Sequence, residues 1–252
     1  MTLEVCCGNL ESVKAAVEGG ASRVELCSRL DLDGLSPVWD DLRVARRLYP
    51  SLKIHVLIRP RGGDFCYSAD EVSLMSAHIE TALTLGADGL VLGALDEKGD
   101  VDKDVIEELL AVVDDWTLAH ALAGDGCHAA NDSHFIRPLP EGPALTFHRA
   151  FDVCRRPFDA LEVIEGMGFH RILTSGQAPS AQEGTDMLRD LQERAHLIIL
   201  PGGGINASNA RRILELSGCT ELHASASTLL PDGRKVTDAK KVAEILSATE
   251  FF

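Results

Sequence analysis

No stretch of this 252-residue chain approaches the roughly 18 consecutive apolar residues that a membrane-spanning helix needs. Basic residues are scarce: 24 lysines and arginines stand against 39 aspartates and glutamates, for a net charge of −15. Affinity for nucleic-acid backbones and for anionic membrane surfaces rests on clustered cations, so neither is expected as a partner. The opening MTLEVCCGNLESVK has no basic segment followed by an apolar one, and no secretory signal is read there. The seven cysteines are odd in number, follow no disulfide-framework spacing and include no CxxC pair, and the methionines do not cluster. His120, Cys127, His128 and His134 match no common zinc spacing. The expectation is an intracellular protein with reduced thiols.

What the chain does contain is a repeated pattern. Short apolar, β-rich runs begin at Leu3, Arg23, Lys53, Gly89, Ala144, Arg171, Leu197 and Glu221, several of them just after a glycine, as in GGASRVEL and SGCTELHAS. Glycine there can cap the preceding helix in the left-handed conformation. Between the runs, Ala69 to Leu85 and Val101 to Val113 repeat apolar residues every three or four positions, the spacing of a helix with one buried face. Strand and helix thus alternate through eight units. This predicts one α/β domain over residues 1–252, a (β/α)8 barrel of the TIM type, with an open doubly wound sheet as the alternative. The interval from Gly89 to Ala144 is oversized, and residues 114–143 are read as an insertion between the fourth helix and the fifth strand. A helix-to-strand connection lies on the face of a barrel opposite the one that carries chemistry.

In a parallel barrel strand the outward residues pack under helices and are apolar, so alternation identifies the inward ones. The rule sends Leu3, Val24, Ile54, Leu145 and Leu222 outward and turns Glu4, Cys6, Glu25, Cys27, His55, Arg59, His148, His223 and Ser225 inward. Barrel cores are ordinarily filled by branched apolar side chains, and unpaired buried charge is costly. On one reading Glu4, Glu25, His55 and Arg59 merely pair with one another at the bottom of the barrel. On the other they belong to a ligand site, because Arg59, His148 and His223 come late in their strands, toward the carboxyl face.

Three strand-to-helix loops favour a ligand that carries an anion. In IRPRGGDFCYS, Ile58 to Ser68, Pro60 ends a strand and Gly62 and Gly63 permit a tight turn. Arg59 and Arg61 offer planar forks for carboxylate or phosphate, while Asp64 is either part of that site or a plain partner for one of the arginines. PGGGIN supplies Gly203 and Gly204 after the seventh strand, and HASAS supplies Ser225 after the eighth. Loops in those two positions hold phosphate in many barrels through exposed backbone N–H groups. A cofactor-independent isomerase, epimerase or lyase acting on a small phosphorylated or carboxylated metabolite is one outcome, with Glu25 and His148 as acid and base and Arg59 holding the substrate.

Taken together, RVELC (Arg23 to Cys27), IRPRGGDFCYS, TFHRAFD (Thr146 to Asp152), RILTSG (Arg171 to Gly176) and PGGGI (Pro201 to Ile205) resemble the CutC family of copper homeostasis proteins over nearly the whole chain. The resemblance implies a cytoplasmic (β/α)8 homo-oligomer, dimer or tetramer, linked to copper tolerance and copper binding, and it carries no assigned catalytic activity. Residues 114–143 depart from the family pattern, and STLLPDGRKVTDAKK after the eighth strand is shorter than in animal members. Cu(I) favours thiolate, thioether and imidazole ligands, which makes Cys6, Cys27 and His223 the leading candidates, with Cys7 and Cys66 as alternatives. The contrary reading of each thiol is a small apolar filler.

Overall fold

A computed structural model describes residues 1–123, 142–231 and 233–250. Eight parallel strands form the wall: β1 (Thr2–Cys7), β2 (Arg23–Leu26), β3 (Lys53–Leu57), β4 (Gly89–Leu92), β5 (Ala144–Phe147), β6 (Arg171–Thr174), β7 (Ile198–Pro201) and β8 (Glu221–Ala224). Hydrogen-bonded ladders run in order from β7 down to β1 and on to β8, and β8 packs back alongside β7. The helices are α1 (Leu10–Glu18), α2 (Trp39–Leu48), α3 (Ala69–Thr84), α4 (Lys103–Ala123), α5 (Pro157–Gly166), α6 (Thr185–Gln192), α7 (Ala210–Ser217) and α8 (Ala239–Ala248). This is the (β/α)8 barrel that the alternation of strand and helix predicts.

Local chemistry sets the joints. Ser68 caps α3 in a reciprocal capping box with Glu71, and Gly218 closes α7 in the left-handed conformation at φ 74°. The expected insertion starts too early at residue 114, because α4 continues to Ala123. The run DDWTLAHALA keeps an apolar face and contains no proline or glycine to stop it, and exposed His120 stacks on Trp116 of the same helix. The remainder of that segment, 124–141, with Cys127, His128 and His134, lies outside the described residues. STLLPDGRKVTDAKK contributes an antiparallel pair, β9 (Ser227–Leu229) and β10 (Lys235–Thr237), which the sequence reading did not anticipate.

Alternation sorts the wall as expected. Val5, Val24, Ile54 and Leu222 join the large apolar layer between sheet and helices, whereas Cys27, Leu57 and Val91 form a separate small cluster inside the barrel. Each fully buried aliphatic side chain in the outer layer contributes about 1.5–3 kcal/mol. Val56 is fully buried in that layer. Val56→Asp places an unpaired carboxylate there and is expected to cost more than about 4 kcal/mol, enough to abolish cooperative unfolding by circular dichroism.

The amino-terminal part of the interior is ionic. Arg23 donates to Glu4 Oε2 at 2.7 Å and also to Glu221, which accepts from Arg171 Nε at 2.9 Å. His223 Nδ1 lies 2.9 Å from Glu4 Oε1. His55 Nδ1 lies 3.2 Å from Glu4 Oε2 but off the line of a hydrogen bond. Gly89 opens β4 because the His55 ring occupies the space beside it: a Cβ there would come within 2.6 Å of His55 Cδ2. Burial opposes ionisation of Glu4 and Glu221. Even so, His223, His55 and Arg23 hold Glu4 well below its ordinary range, and Arg23 and Arg171 lower Glu221. Carboxylates whose folded values are depressed stabilise the fold above their unfolded range, and that contribution disappears as pH falls through the folded values. Arg23→Leu takes one cation from each of two buried carboxylates, leaving Glu4 with His223 and Glu221 with Arg171. It is expected to cost about 3–5 kcal/mol at neutral pH and to flatten the acid limb of a plot of melting temperature against pH, because Glu4 and Glu221 then lose one of the groups that depress them.

Candidate functional site

Above this ionic floor, a cavity of about 560 Å³ opens at the carboxyl ends of the strands. Cys6 from β1 and Glu25 from β2 reach it, as do His223 from β8 and Arg59 and His148 from just beyond β3 and β5. Parallel pairing sets their relative heights, since Glu4 is in register with His223 and Cys6 with Glu25. One residue further along, the Cys6 and Cys27 Sγ atoms lie 3.6 Å apart. The Cys6, Glu25 and Cys27 ligand atoms fall within 4.8 Å of one another, the spacing of a potential metal site. His223 borders this group through its second ring nitrogen, 3.8 Å from Glu25 Oε2.

The electrostatics of this cluster are coupled. Burial disfavours the His223 imidazolium, yet Glu25, Cys6 and Glu4 raise its pKa well above the usual value. Glu25 is pushed up, chiefly by burial and against the pull of His223. Its hydrogen bond with Cys27, and burial after it, raise the Cys6 thiol well above its ordinary value. Cys6 is thereby biased toward the thiol and His223 toward the charged imidazole.

His148 differs from His223. Its Nδ1 accepts from the Ala150 N–H at 3.2 Å, so the neutral ring carries its proton on Nε2, which has no hydrogen-bond partner among the described residues. Burial, with the Arg59 charge second, lowers its pKa to about 3. Arg59 is itself buried against Phe65, its centre 4.8 Å from the ring centroid, and donates to the carbonyls of Leu32, Gly34 and Gly63, each at 3.0 Å. No carboxylate pairs with it among the described residues. Of the two readings, the one that pairs Arg59 with acids at the bottom of the barrel does not hold for it, because β3 ends at Leu57 and Arg59 stands in the strand-to-helix loop.

Arg61 and Asp64, expected at the same site, do not line the cavity. Arg61 donates to Asp64 Oδ1 at 2.8 Å, to Glu71 Oε1 at 2.5 Å and to the Cys66 carbonyl at 2.7 Å, which ties the loop to the start of α3. Gly63, at φ 89°, turns the chain back so that Asp64 and Cys66 meet the Arg61 guanidinium. Gly203, Gly204 and Ser225 do line the mouth.

Residues that the sequence reading passed over are Arg149, Asp152, Ser227 and Lys235, all at the rim. Arg149 donates to Asp152 Oδ2 at 2.7 Å and to Ser175 Oγ at 3.1 Å. A signal for two of them was present in HRAFD, directly after the inward His148, but they stand on a short 3-10 turn where strand alternation no longer applies. Lys235 reaches the mouth only because β9 and β10 fold back over it. The backbone is strained on this face. Among the described residues, the four non-glycine residues with positive φ, Arg29, Asp33, Gln177 and Ala226, all lie in loops that follow strands.

Comparison with known proteins agrees with this architecture. The model of the CutC family matches residues 1–135 and 133–228. The human copper homeostasis protein cutC homolog is 40% identical over 252 residues, covering 99% of this chain and 82% of the relative. A CutC family protein of Chromobacterium violaceum is 44% identical over 227 residues, covering 89% and 80%. Among solved structures, a CutC from Streptococcus agalactiae superposes with a TM-score of 0.76 at 28% identity, over 89% of this chain and 98% of that one. Thiamine phosphate pyrophosphorylase from Pyrococcus furiosus, at 18% identity and a TM-score of 0.57 over 99% and 95%, shares the barrel fold alone. No helix among the described residues is long and apolar enough to cross a membrane. A full-length barrel, the family's model across most of the chain and relatives at about 40% identity lead to one assignment: the chain belongs to the CutC family of copper homeostasis proteins.

Proposed function

We propose that this protein serves copper homeostasis by binding Cu(I) at Cys6 and Cys27, with His223 as a third donor, on the floor of a cavity that also accepts an anion. The observation that carries the reading is the pair of sulfurs 3.6 Å apart inside the barrel. Thiolate and imidazole are the soft and intermediate donors that Cu(I) selects, whereas the Glu25 carboxylate is a hard donor and fits better as a charged neighbour than as a ligand. The 2.9 Å contact between His223 Nδ1 and Glu4 supports it too, because a carboxylate on one ring nitrogen orients the other toward a metal. Glu4 is thereby tied both to the ionic floor and to the donor set. This reading places the protein in the cytoplasm, where the thiols stay reduced. His148, Arg59 and Glu25 are then walls of the binding cavity rather than catalytic groups.

Binding must displace the proton held by the Cys6 thiol. Apparent Cu(I) affinity, measured against a competing chelator under reducing conditions, is expected to rise with pH by about tenfold per unit for each proton displaced. Cys6→Ser and Cys27→Ser should each weaken binding at least tenfold while leaving the melting curve nearly unchanged. Wild-type affinity in both variants removes the thiol pair from consideration.

A further inference from the structure

We infer that the carboxyl-face cavity binds a small organic phosphate monoester, with its phosphate at the rim and its organic body over the thiol pair. The inference rests on reading this cavity as the functional site and names what fills it besides a metal ion. Size is the first argument. About 560 Å³ is the volume of a metabolite pocket and far exceeds what a bare ion between two sulfurs occupies.

Charge is the second argument. In a chain of net charge −15, the cavity gathers Arg59, Arg149 and Lys235. The acids facing them are Asp33, Asp152 and Glu25. Asp152 is already engaged by Arg149, Thr174 and Ser175, and Glu25 faces His223. Asp33 is exposed at the mouth. Arg59 is a buried guanidinium whose two terminal nitrogens donate to carbonyls alone and whose Nε has no hydrogen-bond partner, and neither it nor exposed Lys235 has a carboxylate partner among the described residues. A buried cation such as Arg59 calls for an anion from outside.

The third argument is local shape. A Cβ on Gly203 would sit 3.3 Å from Ser175 Cβ and 3.8 Å from the Arg149 guanidinium, so glycine keeps backbone and guanidinium open onto the same space. Gly203 and Gly204 have φ of 97° and 77°, a conformation that side chains rarely adopt. After the neighbouring strand β8, the Ser225 and Ser227 hydroxyls lie 3.2 Å apart, and Lys235 lines the same cavity. Cations, small hydroxyls and a glycine backbone at one rim suit the three oxygens and double charge of a phosphate monoester better than a single carboxylate. Leu57 and Leu173 below leave apolar wall for a carbon skeleton.

The test uses the full-length, metal-free, reduced protein and three probes, 2-phosphoglycolate, inorganic phosphate and glycolate, followed by thermal shift and calorimetry. 2-Phosphoglycolate is expected to bind at least tenfold more tightly than inorganic phosphate, with glycolate showing no stabilisation. Arg149→Gln and Lys235→Glu should each weaken 2-phosphoglycolate at least tenfold. Lys235 is exposed, so its variant separates loss of the ligand from loss of the fold. Cys27→Ser should keep the anion while losing Cu(I), so the two readings fail separately. The inference is overturned if neither phosphate probe stabilises the protein at millimolar concentration, if glycolate binds as tightly as 2-phosphoglycolate, or if Lys235→Glu binds like wild type.

Discussion

Glu4 is a fully buried carboxylate in the middle of a barrel, and much of the interior is arranged to keep it ionised. Arg23 neutralises it from the neighbouring strand, while His55 and His223 approach from two others. Arg23 then requires Glu221, and Glu221 in turn takes Arg171. A chain of alternating charges thus links strands far apart in sequence, and removing any member leaves a buried neighbour with one partner fewer. The same carboxylate fixes the orientation of His223. The stability of the floor and the direction of the candidate donor nitrogen are therefore one structural fact.

Much of this was legible in the sequence because a strand has a period of two. Once Leu3, Val24, Ile54 and Leu222 are assigned to the helix side, Glu4, Glu25, His55 and His223 have nowhere to point but inward, and the structure places them there. Eight strands in a row with glycine-capped helices between them made the barrel readable for the same reason. The reading weakens where the period ends. Arg59 and Arg61 look equivalent in IRPRGG, but they stand beyond the end of β3, where strand alternation no longer applies, and one faces the cavity while the other is held by Asp64 and Glu71. Lys235 gave no signal at all, because its place at the mouth depends on β9 and β10 pairing across a turn. Helix α4 overran the expected boundary because neither glycine nor proline marks a stop before Gly124.

The two histidines of the cavity show how environment divides a shared chemistry. His223, between Glu4 and Glu25, is driven toward the charged form despite burial. His148, near Arg59 and without an acid, is driven to the neutral form with a pKa of about 3. One ring is biased toward holding a proton that a metal bound there would have to displace. The other cannot gain one near neutral pH and offers a fixed N–H donor.

That division bears on how the cavity is organised from bottom to top. Acidic and thiol groups lie low, where Cys6, Glu25 and Cys27 converge, and uncompensated cations lie at the wall and rim, in Arg59 and Lys235. A metal cation and an anion would each find complementary charge at a different depth of the same opening. An occupant of the upper part would stand between solvent and the sulfurs, because the cavity is the route by which Cys6 meets the outside while Cys27 is almost fully buried beneath it. Access to the thiols would then be governed by what fills the mouth, which is lined by the loops after β2, β3, β5, β7 and β8.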